Sequence, residues 1–165
     1  MSEKKFIELA PKLLDDDKLN NLLEFCEFLK NIKVQRGQTA TKNLGVAYHR
    51  REICSLRLGD DFWYITFFKD YYRRAKLFEK CEEYFTGELK EFILGNINIT
   101  PGLVTSCKNC DTPKDKTILG KKFDAVCNCH QIVLKNPDGK TLEYAKEIVS
   151  IAKNVVDDIV SSNTK

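Results

Sequence analysis

The apolar residues change period along this chain, and that change limits the fold more than any single motif does. Leu19, Leu22, Leu23, Cys26 and Leu29 recur at helical spacing. Asp15, Asp16 and Asp17 stand just ahead of them, able to cap a helix and suited to its positive end. From Ile53 the period becomes two, with Cys54, Leu56 and Leu58 alternating with Ile53, Ser55 and Arg57. After Gly59-Asp60-Asp61 comes Phe62-Trp63-Tyr64-Ile65-Thr66-Phe67-Phe68, whose aromatic and β-branched residues fit a pleated surface. These two runs read as a hairpin. Gly45 to His49, joined through Arg50-Arg51, extends it to a three-stranded antiparallel meander.

Helical spacing returns at Tyr71, Ala75, Phe78, Glu82 and Phe85, and a shorter helix runs through Leu89, Phe92 and Ile93 before Gly95 stops it. The turn Asn136-Pro137-Asp138-Gly139 feeds a last helix, with Leu142, Ala145, Val149, Ala152, Val155 or Val156 and Ile159 as its stripe. Phe6 to Leu14 carries Pro11 and supports at most a short or broken helical turn. Phe123 to Val126 and Gln131 to Leu134 read as short strands on either side of Cys127-Asn128-Cys129-His130. The pattern gives an α+β fold: an antiparallel sheet of three to five strands packed against N- and C-terminal helices, with a cysteine knuckle in a long loop.

The 165 residues, 42% hydrophobic and 31% charged, suit one soluble domain over 1–165, with an ordered core at 18–160. No apolar run approaches the roughly 18 residues of a membrane span. The first residues lack the apolar segment of a secretory signal, so the expected compartment is the cytoplasm and no membrane partner is expected. A net charge of +3 is too mild to select a partner.

The segment from Asn96 to Lys122 has no periodicity and contains Pro101, Gly102, Pro113 and Gly120, so something other than apolar packing must hold it. The cysteines supply a candidate. Of seven, Cys26, Cys54 and Cys81 lie far apart in apolar patterns, while four cluster within residues 96–130. Cys107 and Cys110 form a C-x2-C pair, and the whole pattern is C-x2-C-x16-C-x-C-H, one residue short of a zinc-ribbon spacing in its second half. In an extended strand Cys127 and Cys129 point the same way, so both can face the first pair; His130 is the alternative fourth ligand. Four thiolates would leave the ion no open position, which makes zinc a structural cofactor here. A redox role for Cys107 and Cys110 is the alternative. Asp111-Thr112-Pro113, which follows, offers no helix to lower a thiol pKa.

Other features carry less. Trp63 and Tyr64, with Phe67, could line a small-molecule cleft together with His49 and Arg51, and His49 and Glu52 could act there as acid and base. Aromatic residues at strand spacing more commonly build a core. The basic runs His49-Arg50-Arg51 and Tyr71-Tyr72-Arg73-Arg74-Ala75-Lys76 fit solvated faces, and no known motif accompanies them, so nucleic acid is not the expected partner.

The order of parts, closed by Asn136-Pro137-Asp138 and its helix, resembles the small bacterial domains of unknown function of the YdhG and YjbR type. That resemblance implies a frataxin-like α+β fold. The chain is also similar to Firmicute-type proteins with a late C-x2-C, a Gly120-Lys121-Lys122-Phe123 strand and a further cysteine at Cys127. The likeness spans roughly Leu19 to Ile159, and it implies no activity and no catalytic residues. The expected function is a non-enzymatic, zinc-stabilised binding or regulatory module acting on a small molecule or protein. The alternatives are a thiol redox or electrophile sensor through Cys107 and Cys110, and an enzyme using the aromatic sheet face.

Overall fold

Pro11 sets the first break in the chain. In the computed structural model, which describes residues 3–68, 77–98, 114–126 and 131–162, helix α1 (Glu3–Leu9) passes into a 3-10 turn, Ala10–Lys12, that carries the proline at its start. There the missing N–H costs nothing. The Asp15 carboxylate then accepts from the Lys18 backbone N–H at 3.0 Å and opens α2 (Asp16–Asn31). The buried stripe of α2 is Leu22, Phe25, Cys26 and Leu29, so Phe25 holds the position that the spacing suggested for Leu23, which is exposed.

Four strands follow as a meander, one more than expected: β1 (Gln35–Ala40), β2 (Asn43–Tyr48), β3 (Arg51–Leu58) and β4 (Trp63–Phe67). β1 is polar and lies at the sheet edge, so it has no apolar alternation to betray it. β2 and β3 are joined by His49 and Arg50, both at positive φ (45° and 63°), the backbone sense that a two-residue hairpin turn needs. A bulge between β2 and β3 pairs Val46 with Cys54 but Ala47 with Glu52, which leaves Ile53 as the extra residue. That is why Ile53 and Cys54 are both buried, against the simple alternation.

Among the described residues, the helix expected from Tyr71 to Phe85 is present over 77–81 and continues as the 3-10 turn Glu82–Tyr84. Helix α3 (Gly87–Asn96) runs through Gly95 and ends one residue later, where Asn96 Nδ2 donates to the Phe92 carbonyl at 2.8 Å. After it come β5 (Ile97–Asn98), β6 (Lys114–Ile118), β7 (Lys121–Val126), β8 (Gln131–Lys135) and α4 (Gly139–Ser162). The main sheet has six strands in the order β1-β2-β3-β4-β8-β5, every neighbour antiparallel, and β6 and β7 form a separate hairpin. The fold is α+β. Among the described residues no helix is long and apolar enough to cross a membrane.

Register divides the sheet into two faces. Leu58 with Trp63, Leu56 with Ile65 and Leu134, and Cys54 with Phe67 and Ile132 form cross-strand rows, all of them buried. They meet the helices: the Phe25 ring lies 6.4 Å from that of Trp63, and the α4 stripe from Leu142 to Val156 is buried in the same cluster. Asn136 locks β8 to β4. Its backbone N–H donates to the Trp63 carbonyl and its side-chain oxygen accepts from the Trp63 N–H, each at 2.8 Å, from a left-handed conformation (φ 44°) that asparagine tolerates. Asn136→Ala loses the side-chain bond and strains the backbone. It should lower unfolding free energy by about 1–3 kcal/mol in a urea titration, with the slope unchanged.

Candidate functional site

Cys107, Cys110, Cys127, Cys129 and His130 lie outside the described residues, but the chain that links the two cysteine pairs is described almost throughout. Sixteen residues separate Cys110 from Cys127, and thirteen of them, 114–126, are the β6–β7 hairpin. The strands turn at Leu119 and Gly120, both at positive φ, and Lys114 pairs with Val126 at the open end. The spacer therefore runs out and back: Cys110 lies four residues before one strand of that open end and Cys127 directly follows the other. This corrects the expectation of an aperiodic segment up to Lys122, since β6 lies within it and β7 begins at Lys121. Lys114, Asp115, Lys116 and Thr117 are too polar to announce a strand.

The turn of the hairpin is anchored in the fold. Ile118 and Leu119 are buried, and the Leu119 N–H donates to Glu82 Oε2 at 3.1 Å. Burial pushes the Glu82 carboxyl above its ordinary range, the hydrogen bond from Leu119 opposing. Among the described residues no cluster of three or more His, Cys, Asp or Glu side chains could hold a metal ion.

The three described cysteines are structural. Burial pushes the Cys26 and Cys81 thiols up to about 12, and that of Cys54, fully enclosed, well above the usual range. At neutral pH they carry almost no thiolate and are poor nucleophiles and poor metal ligands.

The four residues proposed from sequence to share a cleft do not meet. His49 lies in the β2–β3 turn and Arg51 directly follows it, whereas Trp63 and Tyr64 pair with Leu58 and Arg57 at the far end of β3, about 20 Å along the strand. Trp63 is fully buried, its indole N–H without a partner, and Tyr64 points to the opposite face. His49 instead joins a surface cluster that ties the turn to α4. Its Nε2 lies 3.9 Å from Asp157 Oδ1, Lys153 Nζ bonds Asp157 Oδ2 at 3.1 Å, and the same ammonium stands 4.5 Å from the Tyr48 ring centre. A hydrogen bond from Tyr48, then one from Lys153, holds the Asp157 carboxyl below its ordinary range against some desolvation. Glu52 pairs with Ala47 across β2 and β3.

Sequence reasoning missed the partners of Tyr64. Arg57 and Lys135 flank it on β3 and β8, and Phe62 stacks beside it with 10° between ring planes. Strand alternation places Arg57 beside Tyr64 once the hairpin register is known; Lys135 becomes a neighbour only through the long-range pairing of β4 with β8.

No family model, curated protein or solved structure matches the chain. The resemblance to the YdhG and YjbR type rests on its short motifs alone.

Glu82 provides a check on the hairpin anchor. A raised carboxyl pKa in the folded chain means that stability falls as pH rises from the ordinary range through the raised value, and is lower by a constant amount above it. Glu82→Gln keeps an acceptor for the Leu119 N–H without the buried charge. It should raise Tm at pH 7, the gain fading as pH falls through the raised native value and vanishing below the ordinary carboxylate range, where Glu82 is protonated in both states.

Proposed function

We propose that the chain is a non-enzymatic binding or regulatory module stabilised by one zinc ion on Cys107, Cys110, Cys127 and Cys129, with His130 as the alternative fourth ligand. The register of the β6–β7 hairpin carries this reading. A spacer that folds out and back, with Lys114 paired to Val126, supports it: in the sequence each cysteine pair adjoins a strand of the same open end. The long spacing is then the length of a hairpin. Four thiolates suit zinc and close its coordination shell, which leaves the ion no position for substrate and gives it a structural task. Such an ion contributes on the order of 10 kcal/mol at neutral pH, enough to order a mostly polar hairpin whose described core contacts are Ile118, Leu119 and, in part, Phe123. The raised thiol pKa values of Cys26, Cys54 and Cys81 leave the clustered cysteines as the ligands to consider.

Protein purified without chelator should contain about one zinc per chain by plasma mass spectrometry. The double variant Cys107→Ser, Cys110→Ser should lose it, with faster amide exchange in 114–126 and a lower Tm. Metal-free protein in which Cys107 and Cys110 cycle between dithiol and disulfide would replace this proposal with the redox one.

A further inference from the structure

The sheet face turned away from α2 and α4 carries an arrangement that the zinc site does not explain. Register sets Arg57, Tyr64 and Lys135 side by side across β3, β4 and β8. The Phe62 ring lies 6.2 Å from that of Tyr64 and nearly parallel to it. Gly59 makes room for this ring: the Gly59 N–H closes the turn onto the Phe62 carbonyl at 2.7 Å, and a Cβ at Gly59 would run into the Phe62 side chain. Lys135 Nζ stands 4.8 Å from the Phe62 centre and Arg57 Cζ 5.9 Å from the Tyr64 centre, with Arg57 Nη1 donating to the Tyr64 hydroxyl at 3.1 Å. Arg57 and Lys135 are exposed and have no carboxylate partner among the described residues. By contrast Lys18, Lys42, Lys140, Lys146 and Lys153 are each held by at least one.

The next row on the same face is short-sided. Gly45, Ser55, Thr66 and Val133 lie side by side, and Gly37 extends the row to the sheet edge; Thr66 is buried, so the accessible part of the face is the end that carries the aromatic pair. Two near-parallel rings on one sheet face, each beside a cation without a carboxylate partner among the described residues, match a ligand that alternates flat π surfaces with negative charges. In single-stranded nucleic acid the bases are free to stack and each is followed by a phosphate. A duplex hides its base faces, and an acidic peptide offers the charge without the regular π surface.

We propose that this face docks single-stranded nucleic acid, with bases stacked on Phe62 and Tyr64 and phosphates paired with Arg57 and Lys135. The proposal rests on the binding-module reading, names its partner, and makes no use of the metal. The charge pattern along the chain did not suggest this partner, because Arg57 and Lys135 become neighbours of the aromatic pair only through the sheet.

The test is fluorescence anisotropy of the full chain with short labelled oligo-dT and oligo-U, alongside a duplex competitor and a poly-glutamate competitor. Two phosphate contacts predict binding about sevenfold weaker at 200 mM than at 50 mM salt. Phe62→Ala and Tyr64→Ala should each weaken it about 5- to 150-fold, and Tyr64→Phe should leave it largely intact. The pair Arg57→Gln, Lys135→Gln alters only exposed residues and should remove most of the salt dependence. Absence of saturable binding up to about 100 µM protein, binding indifferent to Tyr64→Ala and to the glutamine pair, or equal competition by duplex or poly-glutamate would each overturn the proposal. Zinc content measured on the same samples reports separately on the cysteine site.

Discussion

The seam between the inner sheet face and helices α2 and α4 is the constraint on which the other features depend. Phe25 against Trp63, with the rows through Leu56 and Cys54 beneath, removes from water the largest side chains of the molecule. Each such apolar group contributes about 1.5–3 kcal/mol on burial, far more than the exposed ion pairs at the surface, whose median worth is about 0–1 kcal/mol. Because the seam takes every second residue of β3 and β4, the residues between, Arg57, Tyr64 and Thr66, are obliged to face the other way. The character of the outer face is set by the demands of the inner one.

Most of this was legible where periodicity was strong. The α2 stripe, the alternation of β3, the aromatic strand β4 and the long final helix all announce themselves through residues that must be buried. What escaped did so for identifiable reasons. β1 is polar because it needs only one paired edge and little burial, and β6 is polar because its hairpin meets the core mainly at its turn, through Ile118 and Leu119, and through Phe123 of β7. The bulge at Ile53 breaks the alternation by one residue, which no count of apolar positions would reveal. His49-Arg50 turns the chain without the usual Asn-Gly, so the joint was expected one residue late, at Arg50-Arg51, and its left-handed backbone was not foreseen.

The candidate sites divide in the same way. The cysteine spacing was visible, whereas the reason for its sixteen-residue interval needed the hairpin register. The cleft assembled from His49, Arg51, Trp63 and Tyr64 failed because residues close in sequence at the two ends of one strand are far apart in space, and because Trp63 and Tyr64 alternate. Arg57 and Lys135 gained meaning only when β8 took its place beside β4.

That placement of β8 has a consequence for how the molecule folds. The meander from β1 to β4 closes through short turns and can form early, but its last edge stays open until the chain has passed through α3, β5 and the hairpin and returned to pair Phe67 with Ile132. Closing so long an excursion is entropically costly and slow. A hairpin that folds back locally in the last third of that path shortens it.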